Sequence, residues 1–273
     1  MGSREHEVVG ATRRPLTAES LALGLRNAGL ESGQTVLVHS SLSSLGWVVG
    51  GPVAVIEALL IVLGPSGTLA MPSHNGENCD PSLWQNPPVP REWWQTIRES
   101  MPPFDPEKTP TRGVGVIAEA FRSWPGVKRS VHPTVSFAAL GPRASLITAN
   151  HDLEDALGDG SPLARLYDLD ASVLLLGVGH ASNTSLHLAE ARARYRGKVW
   201  QETGSAVLRN GRREWVEYRP LDYDSDDFDA LGSDFEAAGA VRVSKVGQAQ
   251  LRLMSQRELV EFGVGWLEEN RQA

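Results

Sequence analysis

A histidine and a glutamate stand three residues apart late in the chain, as His187 and Glu190. On a helix this spacing puts both side chains on one face, where the carboxylate can orient the imidazole or stabilise its charge. An imidazole held in this way can serve as a general base near neutral pH. The same two residues could equally form a surface pair that contributes roughly 0.2–0.5 kcal/mol. The pair is therefore a candidate for proton transfer that depends on its surroundings.

The residues around this pair predict a strand, a turn and a helix. The apolar run 171–176 ends in a glycine-rich turn at 177–179, which is typical of a buried strand and its exit. Residues 185–195 are rich in Leu, Ala, Glu and Arg and favour a helix capped by Asn183 or Thr184. Ligands of open α/β sheets collect at the carboxyl ends of strands. We therefore expect the pair to lie at a functional edge.

A second predicted strand precedes a loop of hydroxyl and glycine residues. The apolar run 35–39 predicts the strand, and the loop 40–51 leads into a helix over 52–63 with proline in its first turn. Small residues let backbone N–H groups approach a ligand, and a helix N-terminus favours phosphate. The loop is a candidate diphosphate cradle or a plain flexible connection. It lacks the G-x-x-x-x-G-K-[ST] and G-x-G-x-x-G patterns, so neither a P-loop nor a Rossmann site is indicated.

A long irregular region follows over residues 76–110. A loop of this length in a compact domain is usually functional or disordered, and aromatic residues favour the first. It could form a wall or lid, or its tryptophans could only pin a proline-rich excursion to the core. The aromatic residues in question are Trp84, Trp93, Trp94 and Phe104. We expect a single domain over 1–273 in which 76–110 is a lid-like insertion.

The order of the predicted elements indicates the fold class. Strands alternate with helices up to residue 195, and Asn210 and Gly211 then join two short runs as an antiparallel hairpin. A strand over 241–246 and a helix over 255–270 complete the pattern. We predict a three-layer α/β/α fold with a mixed, largely parallel central sheet and this late hairpin.

Net charge excludes two classes of partner. The chain carries a net charge of -7 at pH 7, and it lacks the basic stripe that binding to phosphate polymers needs. Nucleic acid and anionic membranes are therefore not expected as partners, whereas a cationic small molecule is. Acidic residues crowd one late segment, which is either a solvated loop or part of a cation-binding surface. They are Asp222, Asp224, Asp226, Asp227, Asp229, Asp234 and Glu236.

Cysteine usage and hydropathy indicate the compartment. The single cysteine, Cys79, cannot form an internal disulfide. No apolar run approaches the length of about 20 residues that spans a bilayer, and the first residues do not resemble a signal peptide. We therefore expect a cytoplasmic protein.

Several segments, in a fixed order over roughly residues 15–265, resemble the aminoglycoside 3-N-acetyltransferase family, also called antibiotic N-acetyltransferases. The matching segments are 38–46 with Gly50 and Gly51, 63–72, 111–112, 129–133 with Ser136, 160–166 and 176–190. The resemblance implies transfer of an acetyl group from acetyl-CoA to the 3-amino group of a 2-deoxystreptamine ring. It also implies a fold distinct from that of the GNAT acetyltransferases.

The same resemblance assigns roles to individual residues. His187 matches the catalytic histidine and Glu190 the acidic residue beside it. Coenzyme A would be held by His39, Ser40, Ser41, Leu42, Ser43, Leu45, Gly46, Val49, Gly50, Gly51, Thr111, His132 and Ser136. A polycationic aminoglycoside would be attracted by surplus carboxylates, for which the candidates are Asp155, Asp159, Glu190, Asp222, Asp224 and Asp227. Many members of the family carry an aspartate where this chain has Ala181 and Ser182.

These roles imply a mechanism. The attacking amine must lose a proton, and we expect His187 to accept it while Glu190 orients the imidazole or faces the substrate. Attack would be direct, in a ternary complex, with Ser136 or loop amides as donors to the oxyanion. A covalent route through Cys79 is disfavoured because an adjacent acid raises the pKa of a thiol. No G-x-S-x-G elbow presents a serine nucleophile.

Three other functions stay open at this stage. A metal hydrolase could use His180 with His187 and Glu190, although H-E-x-x-H is absent and we expect no metal. A CoA-dependent N-acetyltransferase could act on a different small amine. A non-catalytic protein could bind aminoglycosides through acidic residues alone. The sequence does not predict an oligomeric state.

Overall fold

The computed structural model describes residues 2–271, with side chains from residue 6 onward. Within this range the chain forms nine strands. They are β1 (Thr35–Ser40), β2 (Thr68–Pro72), β3 (Lys128–Arg129), β4 (Phe137–Leu140), β5 (Ser172–Leu176), β6 (Thr203–Arg209), β7 (Arg212–Tyr218), β8 (Val241–Val246) and β9 (Ala249–Ser255).

Ten α-helices accompany these strands in the described part of the chain. They are α1 (Gly2–Ala11), α2 (Ala18–Asn27), α3 (Gly51–Leu63), α4 (Trp94–Ser100), α5 (Gly115–Arg122), α6 (Ala144–Thr148), α7 (Pro162–Asp168), α8 (Ser185–Arg192), α9 (Phe228–Ala237) and α10 (Gln256–Asn270). Short 3₁₀ helices cover Leu42–Ser44, Pro81–Leu83, Arg91–Trp93 and His180–Ser182.

Seven of the described strands form one mixed sheet in the order β3-β4-β2-β1-β5-β9-β8, and β6 pairs with β7 in a separate hairpin. The predicted mixed sheet and late hairpin are confirmed. The parallel part is smaller than expected, because only β2, β1 and β5 run parallel to one another. The outer strands pair antiparallel. Short connections explain two of these pairs, β3 with β4 and β8 with β9, because parallel strands need longer crossovers.

Alternating apolar residues let the sheet carry a core on each face, which gives the predicted three layers. Val36 and Val38 of β1 pack with α2, α3 and α5, whereas Leu37 packs on the opposite side with α6 to α10. Successive side chains of a strand point to opposite faces, so His39 follows Leu37 toward the side of α8. The sheet thus delivers a histidine to the helix that carries the predicted base.

Helix boundaries follow from local caps. The side chain of Thr17 accepts a hydrogen bond from Ser20 N, and Ser20 Oγ accepts one from Thr17 N, which forms a capping box before α2. Ser161 Oγ accepts from Leu163 N where α7 begins. None of the described helices is both long and apolar enough to cross a membrane.

The region 76–110 packs against the hairpin β6–β7. Phe104 N donates to Ala206 O of β6 at 2.8 Å, and Arg213 Nε of β7 donates to Met101 O at 2.8 Å. Within the region, Arg98 forms two hydrogen bonds to Asp80, at 2.8 and 2.9 Å. The insertion and the hairpin therefore form one packed unit beside the sheet. The lid-like role of 76–110 stays a prediction.

A pair of buried histidines lies next to this unit. The rings of His132 and His151 are 4.6 Å apart. His132 Nδ1 accepts a hydrogen bond from Val135 N at 3.1 Å, and His151 Nε2 lies 2.6 Å from Ala156 O. Burial lowers the pKa of His132 to about 4 and the pKa of His151 well below its usual value. Both rings are therefore neutral in the folded protein at physiological pH.

The turn after β5 needs glycine for steric as well as backbone reasons. Gly177 has a φ of 72°, and a Cβ there would lie 2.7 Å from Ser44 Cβ. Gly211 of the hairpin has a φ of 73° but no atom within 4 Å of such a Cβ. We expect Gly211→Ala to lower the free energy of unfolding by about 1–2 kcal/mol through backbone strain. Gly177→Ala should cost about 1–3 kcal/mol more through overpacking, and equal losses in urea unfolding would contradict this explanation.

The buried histidine His132 should make stability fall with acidification. Below pH 6.5, near its ordinary pKa, the unfolded chain binds a proton that the folded protein refuses until about pH 4. The free energy of unfolding should therefore decrease as pH falls from about 6.5 to about 4. In His132→Gln the slope over this window should be smaller by up to about 1.4 kcal/mol per pH unit. The exposed His6 supplies the control, since His6→Gln should leave the slope unchanged.

Candidate active site

His187 and Glu190 lie on one face of α8 and contact each other directly. His187 Nδ1 and Glu190 Oε2 are 2.8 Å apart. The side chain of His187 is 15% exposed, whereas that of Glu190 is fully buried. The carboxylate therefore lies beneath the ring. Of the two roles that the sequence left open for Glu190, orienting the imidazole or facing the substrate, this geometry fits the first.

The second oxygen of Glu190 accepts three further hydrogen bonds. Its donors are Arg271 Nη1 at 2.7 Å, Asp224 N at 3.0 Å and Tyr195 OH at 3.2 Å. Burial raises the pKa of Glu190, but the hydrogen bonds from His187, Asp224 and Arg271 outweigh burial and hold it below its usual value. Glu190 is therefore ionised and can only accept hydrogen bonds.

An ionised Glu190 determines the tautomer of His187. Since Oε2 must accept, Nδ1 of His187 carries the hydrogen, and the lone pair of the neutral ring is on Nε2. Within the described part of the chain Nε2 has no hydrogen-bond partner. Tyr223 and Phe228 contact the ring at centroid distances of 5.2 and 4.8 Å and restrict its rotation. The imidazole is thus fixed with one basic nitrogen available.

A groove of about 940 Å³ opens at the carboxyl ends of β1 and β5. Strand β2 lies on one side of β1 and β5 on the other, so the connections diverge here, as at the ligand-binding edge of open α/β sheets. Thr184, three residues before His187, lines the groove. Of the residues predicted to hold coenzyme A, the structure brings seven to this lining: His39, Ser40, Ser41, Leu42, Ser43, Gly46 and Gly51.

The lining suits an elongated ligand with anionic and apolar parts. Helix α3 begins at Gly51, and the space where a Cβ of Gly51 would stand is open. Gly51 N already donates to Val48 O at 3.0 Å, and Pro52 has no N–H. The positive end of this thirteen-residue helix, more than a free N–H of its first two residues, would therefore favour a phosphate in that volume. Trp47, Val48 and Val114 supply apolar surface. The residues present therefore fit the diphosphate and pantetheine of coenzyme A.

Six residues of the coenzyme prediction do not line the groove: Leu45, Val49, Gly50, Thr111, His132 and Ser136. Leu45 is fully buried in the core. Thr111 Oγ1 donates to Glu119 Oε2 at 2.7 Å. Ser136 Oγ donates to Ser73 O at 2.8 Å and accepts from Arg129 Nε at 2.9 Å. These polar groups are already engaged in holding local structure.

A second pocket, of about 620 Å³, lies near α8, and His187 itself is among the lining residues of neither pocket. Tyr223, which packs on the His187 ring, lines the second pocket together with Ala191, one turn after His187. Its charged lining residues are the carboxylates Glu154 and Asp155 and the cations Lys198 and Arg219, beside the aromatic ring of Trp200. The carboxylates and the aromatic ring are suited to a polar cation with apolar faces, whereas Lys198 and Arg219 balance the acidic charge.

The acids predicted to bind substrate are scattered. Asp155 lines the second pocket, where its Oδ2 also accepts from Gly160 N at 2.6 Å. Asp159 pairs with Arg192 at 2.8 Å, and Asp227 pairs with Arg271 at 2.6 Å. Asp222 and Asp224 are exposed and do not line this pocket.

The late acidic segment is ordered in part as a helix, although five of its seven acidic residues are exposed. It contains helix α9, in which Phe228, Leu231 and Phe235 are buried. Its carboxylates also have partners. Asp229 Oδ1 accepts from Ala181 N, Asp234 Oδ2 accepts from Trp266 Nε1, and Glu236 pairs with Arg252.

Two other histidines of this region differ from His187. His39 and His74 line the groove, and burial lowers the pKa of each to about 3. His39 Nε2 and Thr184 Oγ1 are 3.1 Å apart. His180 bonds to Glu236 Oε1 at 3.0 Å, so it does not join His187 and Glu190.

Several site residues were missed from the sequence. His74 lies two residues after β2, and His39 is the second-last residue of β1. The similar position of the two histidines at the ends of neighbouring strands could have identified His74. Tyr195, Tyr223 and Arg271 belong to no motif with a recognisable spacing. Among the described residues, no group of three or more His, Cys, Asp or Glu side chains is placed to hold a metal ion. Burial raises the pKa of Cys79 to about 11, which keeps the thiol protonated and unreactive.

The chain is similar to known proteins along most of its length. Its sequence is 47% identical over 265 residues to the SPbeta prophage-derived aminoglycoside N(3')-acetyltransferase-like protein YokD of Bacillus subtilis strain 168, covering 97% of each chain. It is 38% identical over 271 residues to aminoglycoside N(3)-acetyltransferase VII of Streptomyces paromomycinus, covering 93% of this chain and 92% of that one.

Solved structures of similar proteins superpose closely on this chain. The crystal structure of YokD superposes with a TM-score of 0.95 at 46% identity, over 97% of this chain and 98% of that chain. AAC-IIIb in binary complex with CoASH gives 0.86 at 32% identity, over 95% and 99%. AAC-VIa bound to sisomicin gives 0.86 at 33% identity, over 95% and 100%. The expectation of a fold other than GNAT is confirmed.

The sequence profile of the family described as aminoglycoside 3-N-acetyltransferase matches residues 37–268. This match covers most of the chain, including the groove and the pair on α8. The chain therefore belongs to the aminoglycoside 3-N-acetyltransferase family.

Proposed function

We propose that this protein transfers the acetyl group of acetyl-CoA to the 3-amino group of the 2-deoxystreptamine ring of aminoglycoside antibiotics. The observation that carries the proposal is the unpartnered Nε2 of His187, fixed by Glu190 on a helix whose N-cap Thr184 lines the groove and whose Ala191 lines the second pocket. Membership of the acetyltransferase family supports the same reaction.

The groove would hold the donor and the second pocket the acceptor. Support for the donor comes from the N-terminus of α3 and the apolar wall, and from a structural neighbour that binds CoASH. Support for the acceptor comes from Glu154 and Asp155, and from a neighbour that binds sisomicin. Acetyl-CoA supplies the activated thioester, and the protein supplies position and a base.

Each residue of the pair then has one task. His187 Nε2 accepts a proton from the amine as its nitrogen bonds to the acetyl carbon, and Glu190 stabilises the imidazolium through Nδ1. The C–S bond then breaks, and coenzyme A leaves as the thiol with the proton that the imidazolium returns. Both substrates would be bound together, so attack is direct. Ser136 is engaged with Ser73 and Arg129, which leaves backbone amides of the loop 40–51 as the donors for the oxyanion.

Replacing His187 should remove turnover without removing drug binding. We expect His187→Ala to lower kcat by about 10²–10⁴, the range for loss of a general base. Gentamicin affinity should stay within about threefold, since the pocket acids are unchanged. Thiol release from acetyl-CoA gives the rate and calorimetry the affinity. His6→Ala, at an exposed histidine, serves as the control, and a His187→Ala variant with parental kcat would refute the base assignment.

We expect the charge of Glu154 to affect the binding of the aminoglycoside and not the binding of acetyl-CoA. Glu154 is exposed at the pocket, so Glu154→Gln should raise KM for gentamicin up to about fivefold, equal to about 1 kcal/mol for an exposed ion pair. The effect should shrink at high salt, and KM for acetyl-CoA should not change. Glu19→Gln removes one exposed carboxylate from α2 on the opposite face of the sheet. If both variants behave alike, the second pocket is not the acceptor site.

A second candidate function is acetylation of another small amine. The observation that favours it is the similarity, at 47% identity, to YokD, a protein described as acetyltransferase-like. Thiol release measured with aminoglycosides that have a free or an already acetylated 3-amino group separates the two. Release only with the free amine supports the first proposal. Aminoglycoside binding without release supports a non-catalytic binding protein instead.

A further inference from the structure

We infer that Arg271 is a positioning residue of the acetyl-transfer site, which holds the Glu190 carboxylate against His187. This inference rests on the proposed function, in which His187 is the base. Arg271 directly follows α10 and lies outside residues 37–268, which the family profile matches.

The guanidinium of Arg271 uses all of its nitrogens in one clamp. Nη1 donates to Glu190 Oε1 at 2.7 Å and to Tyr195 OH at 3.1 Å. Nε and Nη2 donate to the two oxygens of Asp227 at 2.7 and 2.6 Å, and Nη2 also donates to Asp224 O at 2.7 Å. This fork-shaped bonding is specific to arginine. The clamp ties the residue after α10 to α8 and to the loop before α9.

The clamp supplies the charge that Glu190 needs. Glu190 is fully buried, and the side chain of Arg271 is only 13% exposed. Of the other donors to Oε1, Asp224 N and Tyr195 OH are neutral. Lys198 is near, but its Nζ donates to Ala191 O at 2.8 Å. Among the described residues, Arg271 is the permanent cation bonded to this carboxylate, and loss of such a partner is costly in a protein interior.

Charge balance therefore links Arg271 to the acidity of the pair. The charged and titratable groups that face His187 and Glu190 are His39, His74, Tyr195, Lys198, Tyr223, Asp224, Asp227 and Arg271. Removing Arg271 leaves the pair with an uncompensated negative charge. The pair then takes up a proton at higher pH, and whichever residue receives it, the base is no longer in its active form.

The test is the pH profile of kcat with acetyl-CoA and gentamicin both saturating. In Arg271→Met we expect kcat at pH 7 to fall about tenfold and the acid limb to move up by about one pH unit. KM for acetyl-CoA should stay within about twofold, because the groove is untouched. Arg271→Lys keeps the charge but not the fork, so it should restore the acid limb and only part of kcat.

Arg257→Met is the matched control. Arg257 lies on α10 and pairs with Asp170 at the surface, so its loss should move neither kcat nor the acid limb. Should Arg271→Met fail to fold, Arg271→Gln removes the same charge while retaining polar donors and gives the same readout. A lower melting temperature with an unmoved acid limb would show a purely structural role and overturn the inference.

A second readout does not depend on activity. Imidazole ¹⁵N NMR reports the tautomer and the titration midpoint of His187 in the parent and in Arg271→Met. We expect the midpoint to rise in the variant, and an unchanged midpoint overturns the positioning role. If the parent acetylates no aminoglycoside, the proposed function fails, while this measurement still decides the role of Arg271.

Discussion

The buried negative charge of Glu190 is the constraint on which the site depends. A carboxylate removed from water is tolerated only when its oxygens are matched by donors. The donors here come from separate parts of the chain, namely α8, the loop before α9 and the residue after α10. Folding must assemble all of these before the charge is stable. The site is therefore stable only when the packing around α8 is complete.

The sheet determines where this charge acts. Because β1 has β2 on one side and β5 on the other, a groove opens where the three parallel strands end. His39 reaches this edge at the end of β1 and stays neutral because burial lowers its pKa. Because His39 is neutral, it does not repel the protonated form of His187. Under the proposed function, the ring that gains and loses a proton is thus the partly exposed one, bonded to a carboxylate.

Local patterns in the sequence were sufficient for the pair and for most elements. His187 and Glu190 are three residues apart, and helix geometry alone brings them together. Strand β9 was missed because Gly247 and Gln248, which separate it from β8, are a weaker hairpin signal than Asn210 and Gly211. Helix α9 was missed because its aspartates obscured the apolar spacing of Phe228, Leu231 and Phe235. Arg271 lies 81 residues from Glu190, and no local pattern predicts a contact over that separation.

The hairpin β6–β7 stands apart from the central sheet, and its base contributes to the second pocket. Trp200 and Leu221, which flank the hairpin, form a bridge with each other and line that pocket. His187 lies instead on α8, whose buried residues pack in the core that this helix forms with α6, α7, α9 and α10. Under the proposed function, substitutions in and around the hairpin can therefore reshape the acceptor side while leaving His187 and Glu190 in place. Such a division of labour would let substrate preference diverge among related proteins by mutation of a peripheral module.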